Sequence, residues 1–184
     1  MELEFRSNEW RQKESSWWSF QEAFEKSRHD PFSGSTSDAV EELDNIFRRV
    51  VRDQMTADVP VGVLLSGGLD SSTIASIASH LDKDISTFTV GSENSEYDES
   101  NYAATVAQHL GTKHHELIVT SKDAMKVIPD IPRIFSEPFA DSSQIPTILI
   151  SRLAGQTVKS VLSGDGGDEL FGGYNRYVWG SVLF

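Results

Sequence analysis

Cysteine is absent from the 184 residues, which excludes disulfides, thiolate metal ligands and a cysteine nucleophile within this chain. Long apolar runs are missing too, since nothing approaches the ~18 consecutive residues that a membrane-spanning helix requires. The opening stretch is polar and charged, without the apolar centre of a secretory signal. Positive charge is scarce, with 16 lysines and arginines against 28 aspartates and glutamates and a net charge of −12. That balance argues against a nucleic-acid partner, whose phosphate backbone asks for the opposite sign. The expectation is a cytoplasmic protein with neither nucleic acid nor membrane as partner. A nucleotide held by so acidic a chain needs a positive field made on the spot, from helix dipoles, a metal ion and a few cations.

The length suits one substantial core, or one domain with an added arm. Residues 1–36 read as that arm and a linker: weakly patterned, with Trp10, Trp17 and Trp18, then Pro31 and Gly34 among serines. The tryptophans suit either packing on the following domain or a ligand platform. Val40, Leu43, Phe47, Val50 and Val51 fall at helical spacing, which predicts an amphipathic helix over 38–55 with Ser37 as its cap. From there the pattern alternates. Runs at 61–65, 85–90, 116–119 and 158–162 predict strands. Residues 71–81, 98–110 and 144–153 carry helical spacing, with Gly111 as a stop and Pro146 in a first turn, where proline is tolerated. Residues 122–135 predict a helix interrupted by Pro129 and Pro132. Such alternation implies an α/β fold with an open, mostly parallel sheet covered by helices on both faces.

Two glycine-rich loops carry the chemistry. The run Val61–Leu65 leads into Ser66-Gly67-Gly68-Leu69-Asp70-Ser71-Ser72, a tight turn and a helix start lined with hydroxyls. Glycines let backbone N–H groups approach an anion, and a helix N-terminus adds partial positive charge, so this reads as a polyanion cradle. It is not the G-x-x-x-x-G-K-[ST] loop, because no lysine follows and the glycines are adjacent. The second loop is Ser163-Gly164-Asp165-Gly166-Gly167-Asp168-Glu169, followed by Leu170-Phe171-Gly172-Gly173-Tyr174; five glycines and three carboxylates fall within its first eleven residues. Both loops leave the carboxyl ends of predicted strands, which share one edge in a parallel sheet, and ligands bind at that edge. They should therefore face one site, although roughly a hundred residues separate them. Carboxylates beside a polyphosphate repel it unless a divalent cation intervenes. Asp70 and Asp168, one from each loop, suit Mg²⁺ through oxygen ligands; the alternative for each is helix capping.

The first loop resembles the pyrophosphate-binding loop of the ATP pyrophosphatases. Together the two loops resemble the synthetase domain of the class B, glutamine-dependent asparagine synthetases and related amidotransferases. Connecting stretches agree: Ser86-Thr87-Phe88-Thr89-Val90-Gly91, then His109-Leu110-Gly111-Thr112 with His114-His115-Glu116, then Ser136-Glu137-Pro138-Phe139-Ala140-Asp141-Ser142-Ser143. The similarity runs from about Trp17 to Tyr177. It implies an adenine nucleotide alpha hydrolase-like fold and an ATP-dependent carbon–nitrogen ligase. In that family ATP activates a carboxylate as an acyl adenylate, pyrophosphate leaves, and ammonia attacks to give an amide.

On matching positions, the resemblance implies that Ser66, Gly67, Gly68, Asp70, Ser71 and Ser72 grip the β and γ phosphates. Leu64 and Val90 would flank the adenine, Gly164 would lie against the nucleotide or acyl group, and Asp70 with Asp168 would bind Mg²⁺. Asp165 stands where asparagine synthetases usually carry glutamate, near the path of ammonia, and a carboxylate there could orient ammonia or take its proton. Its shorter side chain leaves the acyl substrate open between the side chain of aspartate and another carboxylate such as a sugar acid. Ser142 and Ser143 suit substrate contact or helix capping, and His114 and His115 suit a metal or acid–base pair or a structural role in a strand.

The family's glutaminase domain begins with a cysteine nucleophile, and its synthetase domain continues through a helical region that supplies a lysine to adenylation. Neither is found here, where the last lysine is Lys159. Residues 37–184 are accordingly expected to be a partial ATP-binding synthetase domain, partnered in a full-length parent by a glutaminase domain that draws ammonia from glutamine. Two rival readings remain. One is a pyrophosphatase-loop enzyme that thiolates tRNA, which the acidic balance opposes; the other is a nucleotide-binding module without turnover.

Overall fold

The computed structural model describes residues 2–6, 9–13, 15–93, 98–138 and 140–183. Two compact units result, Met1–Asp44 and Asn45–Phe184. The division falls inside one continuous helix, α2 (Thr36–Met55).

The first unit is more regular than its sequence suggests. Strands β1 (Glu2–Arg6) and β2 (Glu9–Lys13) pair antiparallel, and helix α1 (Phe20–His29) follows. Ser19 caps α1 by accepting from the Glu22 N–H, while Lys26, Arg28 and His29 complement the dipole in its last turn. Trp17 and Trp18 are exposed, and the Trp10 side chain lies outside the described residues. Helix α2 begins earlier than its apolar pattern indicates, because its cap is Ser35 rather than Ser37. The Asp38 N–H donates to Ser35 Oγ at 3.2 Å and the Ser35 N–H donates back to Asp38 Oδ2 at 2.8 Å. That reciprocal pair is a capping box, and it satisfies two otherwise orphaned groups.

The second unit carries four parallel strands: β3 (Val61–Leu64), β4 (Ser86–Ser92), β5 (Lys113–Val119) and β6 (Ser160–Leu162), in the order β5-β4-β3-β6. Helices α3 (Leu69–Leu81) and α4 (Ser100–Leu110) make the first two crossovers. Pro129 and Pro132 break the next helical stretch as predicted, into α5 (Ser121–Val127), a 3₁₀ turn and α6 (Ile131–Ile134). Then α7 (Gln144–Ala154) leads into β6, followed by α8 (Gly167–Phe171) and α9 (Asn175–Leu183). The chain steps outward from β3 to β5 and then returns to the other side of β3. A topological switch point thus lies between β3 and β6, the place where open α/β sheets bind ligands.

Alternation along the strands divides the core into two layers. Val63, Leu65, Ile85 and Leu162 pack with Val51 of α2, Ala75 and Ala78 of α3, and Ala103 and Ala107 of α4. Their neighbours in sequence face the other way: Leu64, Phe88 and Val161 meet Ile150, Leu153 and Ala154 of α7, and Val90 and Leu117 meet Val127, Ile148 and Leu149. Both faces of the sheet are therefore covered, as expected. Gly62 is required by this packing, since a Cβ there would lie 2.6 Å from the ring of the fully buried Phe88.

Strand β5 starts three residues before its predicted limit and takes in both histidines. His114 Nδ1 bonds Thr87 Oγ1 at 3.0 Å, and Thr87 Oγ1 also bonds Thr112 Oγ1 at 2.8 Å. Desolvation holds the His114 pKa below its ordinary value. His115 stacks on Phe88 with ring centroids 5.0 Å apart. Both imidazoles are thus built into the strand. Among the described residues no helix is long and apolar enough to cross a membrane.

Candidate functional site

The two glycine loops emerge at the switch point and touch. A Cβ on Gly164 would lie 2.8 Å from the Ser71 N and 3.0 Å from the Asp70 Cβ, and one on Gly167 would lie 2.5 Å from the Asp70 carboxyl carbon. Backbone of the second loop therefore runs directly against the first turn of α3, and only glycine permits that approach. The single shared edge expected from the sequence is what the fold builds.

The first loop is tied by its own hydroxyls. Ser66 Oγ lies 2.9 Å from Ser71 Oγ and accepts from the Gly68 N–H at 3.2 Å, and the Ser66 N–H donates to Ser71 Oγ at 3.2 Å. Gly67, at φ +85°, lets the turn press on α4, where a Cβ would come within 2.6 Å of the Ala103 N. Gly68 occupies the N-cap of α3 and makes no side-chain cap bond, so the first-turn N–H groups are left to a ligand. Ser72 Oγ is buried and, among the described residues, has no hydrogen-bond partner. A buried hydroxyl without a partner is costly unless something else completes it.

Between the loops and α7 lies a cleft of about 620 Å³. Of the residues singled out from the sequence, Leu64, Ser66, Asp70, Ser71, Val90, Gly164, Asp165 and Asp168 line it. Gly67, Gly68 and Ser72 do not; the two glycines shape the turn and the Ser72 hydroxyl is buried. Helix capping does not account for the two aspartates. Helices α3 and α8 begin at Gly68 and Gly166 with no side-chain cap bond, and Asp70 and Asp168 sit within the first turns. Asp165 accepts from the Ser163 hydroxyl at 3.0 Å. Phe139 lies outside the described residues, and Ser142 and Ser143 do not line the cleft.

Residues that the sequence reading passed over also line the cleft: Thr89, Glu99, Pro146, Thr147, Ile150, Glu169 and Tyr174. Glu169 and Tyr174 belong to the second loop's own motif and were within reach. The Tyr174 hydroxyl donates to Glu169 Oε1 at 2.7 Å, which holds the carboxyl below its usual range and pushes the phenol up. Glu99 and the α7 residues carry no local signal, because only the crossovers bring them to this edge. Among the described residues, five carboxylates (Asp70, Glu99, Asp165, Asp168 and Glu169) and no lysine, arginine or histidine line the cleft. Among the described residues no three His, Cys, Asp or Glu side chains gather closely enough to hold a metal by themselves.

A family model described as asparagine synthase matches residues 42–183. The chain belongs to the asparagine synthase family. It is 41% identical over 144 residues to a putative asparagine synthetase [glutamine-hydrolyzing] 2 of Methanocaldococcus jannaschii, covering 77% of this chain and 28% of that protein. Against asparagine synthetase [glutamine-hydrolyzing] 1 of Bacillus subtilis it is 36% identical over 152 residues, covering 83% of this chain and 24% of that one. The chain therefore spans about a quarter of the length of these relatives. Among solved structures it is similar to a glutamine-dependent NAD⁺ synthetase of Acinetobacter baumannii in complex with ADP, with a TM-score of 0.54 and 22% identity over 73% of this chain and 27% of that chain. An NH3-dependent NAD synthetase of Campylobacter jejuni aligns with a TM-score of 0.51 at 14% identity, over 73% of this chain and 60% of that one. At such identities the likeness is one of fold.

Proposed function

We propose that this chain is the ATP-binding part of a glutamine-hydrolysing asparagine synthase, which adenylates a carboxylate and converts it to the amide with ammonia. The observation that carries this reading is the contact of the two loops, Gly164 and Gly167 against Ser71 and Asp70. The first loop offers free helix N–H groups, hydroxyls and a partnerless Ser72 Oγ, which suit the β and γ phosphates of ATP. Leu64, Val90 and Ile150 form the apolar end of the cleft, where a purine ring fits.

The same lining argues for a cation. ATP and a carboxylate substrate are both anions, and five carboxylates with no basic side chain among the described lining residues would repel them. Asp70 and Asp168 are the pair that would hold Mg²⁺, one from each loop. Mg²⁺ commonly takes only one or two protein carboxylates and fills its octahedron with phosphate oxygens and water, so the lack of a third close ligand fits it. Bound there, it would neutralise charge on the phosphates as pyrophosphate departs. Asp165 would meet ammonia, and the bond from Ser163 Oγ holds its carboxylate on the loop. The acyl substrate in this reading is the side chain of aspartate, with another carboxylate such as a sugar acid as the alternative. Ammonia would come from glutamine through a glutaminase domain of the parent protein. The setting would be the cytoplasm, where ATP is abundant. One observation favours a nucleotide-binding module without turnover: among the described residues no cationic side chain lines the cleft to meet the charge of adenylation.

The test measures pyrophosphate release and amide formation in one reaction supplied with Mg·ATP, aspartate and ammonia, for the full-length parent protein as wild type and as Asp165→Asn. The variant is expected to keep pyrophosphate release while amide formation falls about a hundredfold, the usual size of a general-base effect. Equal loss of both would assign Asp165 to adenylation or to loop structure. ATP binding without any pyrophosphate release by the wild type would favour the module.

A further inference from the structure

The apolar end of the cleft contains one side-chain hydroxyl on α7 that neither glycine loop supplies. We infer that Thr147 reads the 6-amino group of the adenine, accepting a hydrogen bond from it; this rests on the ATP reading above. Leu64 of β3 and Ile150 of α7 both pack against the buried cluster of Phe88, Ala154 and Val158, so this helix face covers that strip of sheet. Thr147 lies three residues before Ile150, one turn away on the same face. Because α7 returns from the carboxyl edge toward β6, that turn lies at the mouth, and Thr147 lines the cleft with Leu64, Val90 and Pro146.

Its hydroxyl is also uncommitted. Threonines inside the other helices spend theirs on the carbonyl one turn back: Thr73 on Leu69 O and Thr105 on Asn101 O, each at 2.8 Å. Among the described residues Thr147 Oγ1 makes no hydrogen bond, and the residue is exposed to the cleft. An apolar slot grips the faces of any flat base, so discrimination between bases falls to the few polar groups on its wall. A hydroxyl can accept from an amino N–H. With the phosphates held at the two glycine loops, the base would extend away from them toward this wall.

Calorimetric titration compares Mg·ATP, the Mg complex of purine riboside triphosphate (hydrogen in place of the 6-amino group) and Mg·tripolyphosphate, on the wild type, Thr147→Val and Thr147→Ser. Valine keeps the shape and the exposed position, and unchanged melting temperatures would verify folding. Thr147→Val is expected to lose roughly fivefold in affinity for ATP, the size of one hydrogen bond. It should lose nothing for tripolyphosphate and almost nothing for the deamino nucleotide, and Thr147→Ser should retain the preference for ATP. Equal losses for the two nucleotides, or none for ATP, would overturn the assignment of Thr147 and leave the ATP site standing. A wild type that binds tripolyphosphate but no nucleotide would overturn the ATP reading, and the inference with it.

Discussion

The loop after β3 binds itself together, whereas the loop after β6 leans on its neighbour. Ser66 and Ser71 close the first loop with four hydroxyl-mediated bonds, and a thirteen-residue helix anchors it. The second has one internal side-chain pair, Ser163 with Asp165, before a helix of five residues, α8. Its shape comes from backbone laid on the first loop at Gly164 and Gly167. Charge divides the same way: the first loop brings one carboxylate and a helix N-terminus, and the second brings three carboxylates. In the proposed reading the first strand end would serve as the anion cradle, and Asp70 with Asp168 would seat a cation between the two loops. Each chemistry would be unfavourable without the other.

Separating the loops should have the largest effect. Gly164→Ala puts a methyl group into the Ser71 backbone, which overpacking puts at about 2 kcal/mol of stability. A displacement of the two loops by about an ångström should weaken Mg·ATP binding by roughly a hundredfold. Gly172→Ala is the control: at φ +71° it meets left-handed strain of about 1 kcal/mol, but its Cβ would have nothing within 4 Å and it does not line the cleft, so binding should change little. Calorimetry and thermal melts of both variants check the contrast. Similar losses of binding in the two would mean that strain, not loop contact, governs the site.

Next come the carboxylates. Asp70→Asn and Asp168→Asn should each weaken ATP binding on the order of tenfold with Mg²⁺ present, and by little without it. If the deficit persists in EDTA, neither residue acts through a cation. Ser72→Ala probes the cradle alone. Because its hydroxyl is buried without a partner, the folded state should lose nothing and could gain about 1 kcal/mol, while ATP affinity falls roughly fivefold. A stability loss with unchanged affinity would mean that the hydroxyl serves the fold.

The smallest effect lies on β5, at the sheet's far edge from the second loop. His114 is held below its ordinary pKa by desolvation, so the unfolded chain takes up its proton first as pH falls. That contribution to stability is whole above about pH 6.5 and is lost as pH drops from there through the folded pKa. Melting temperature should therefore decline between pH 7.5 and 5, His114→Gln should flatten that slope, and ATP affinity corrected for folded fraction should not follow it. An unaltered slope in the variant would assign the pH response to other groups.

Much of the second unit was legible in order because its signals are local. Apolar runs of strand length, helical spacing with Gly111 as a stop, and paired prolines that break a helix each depend on residues a few positions apart. The first unit was not read this way. Glu2-Leu3-Glu4-Phe5-Arg6 alternates over only five residues, too short a run to stand out, and the Ser35–Asp38 capping box was hidden beside two equally plausible hydroxyls at Thr36 and Ser37.

By itself the sequence determined the two glycine loops, the strands that feed them and the acidic character of the second. It also indicated that they share an edge, because parallel strands present their carboxyl ends together. Only the tertiary structure decided which other residues reach that edge. Pro146, Thr147 and Ile150 line the cleft because the chain turns back beyond β5 and sends α7 across the sheet to β6, while Glu99 joins them from the N-cap of α4, where the chain leaves β4. No residue in α7 announces that destination. Its position follows from covering the second apolar face of the sheet, a long-range packing requirement that reading neighbours in sequence does not reveal.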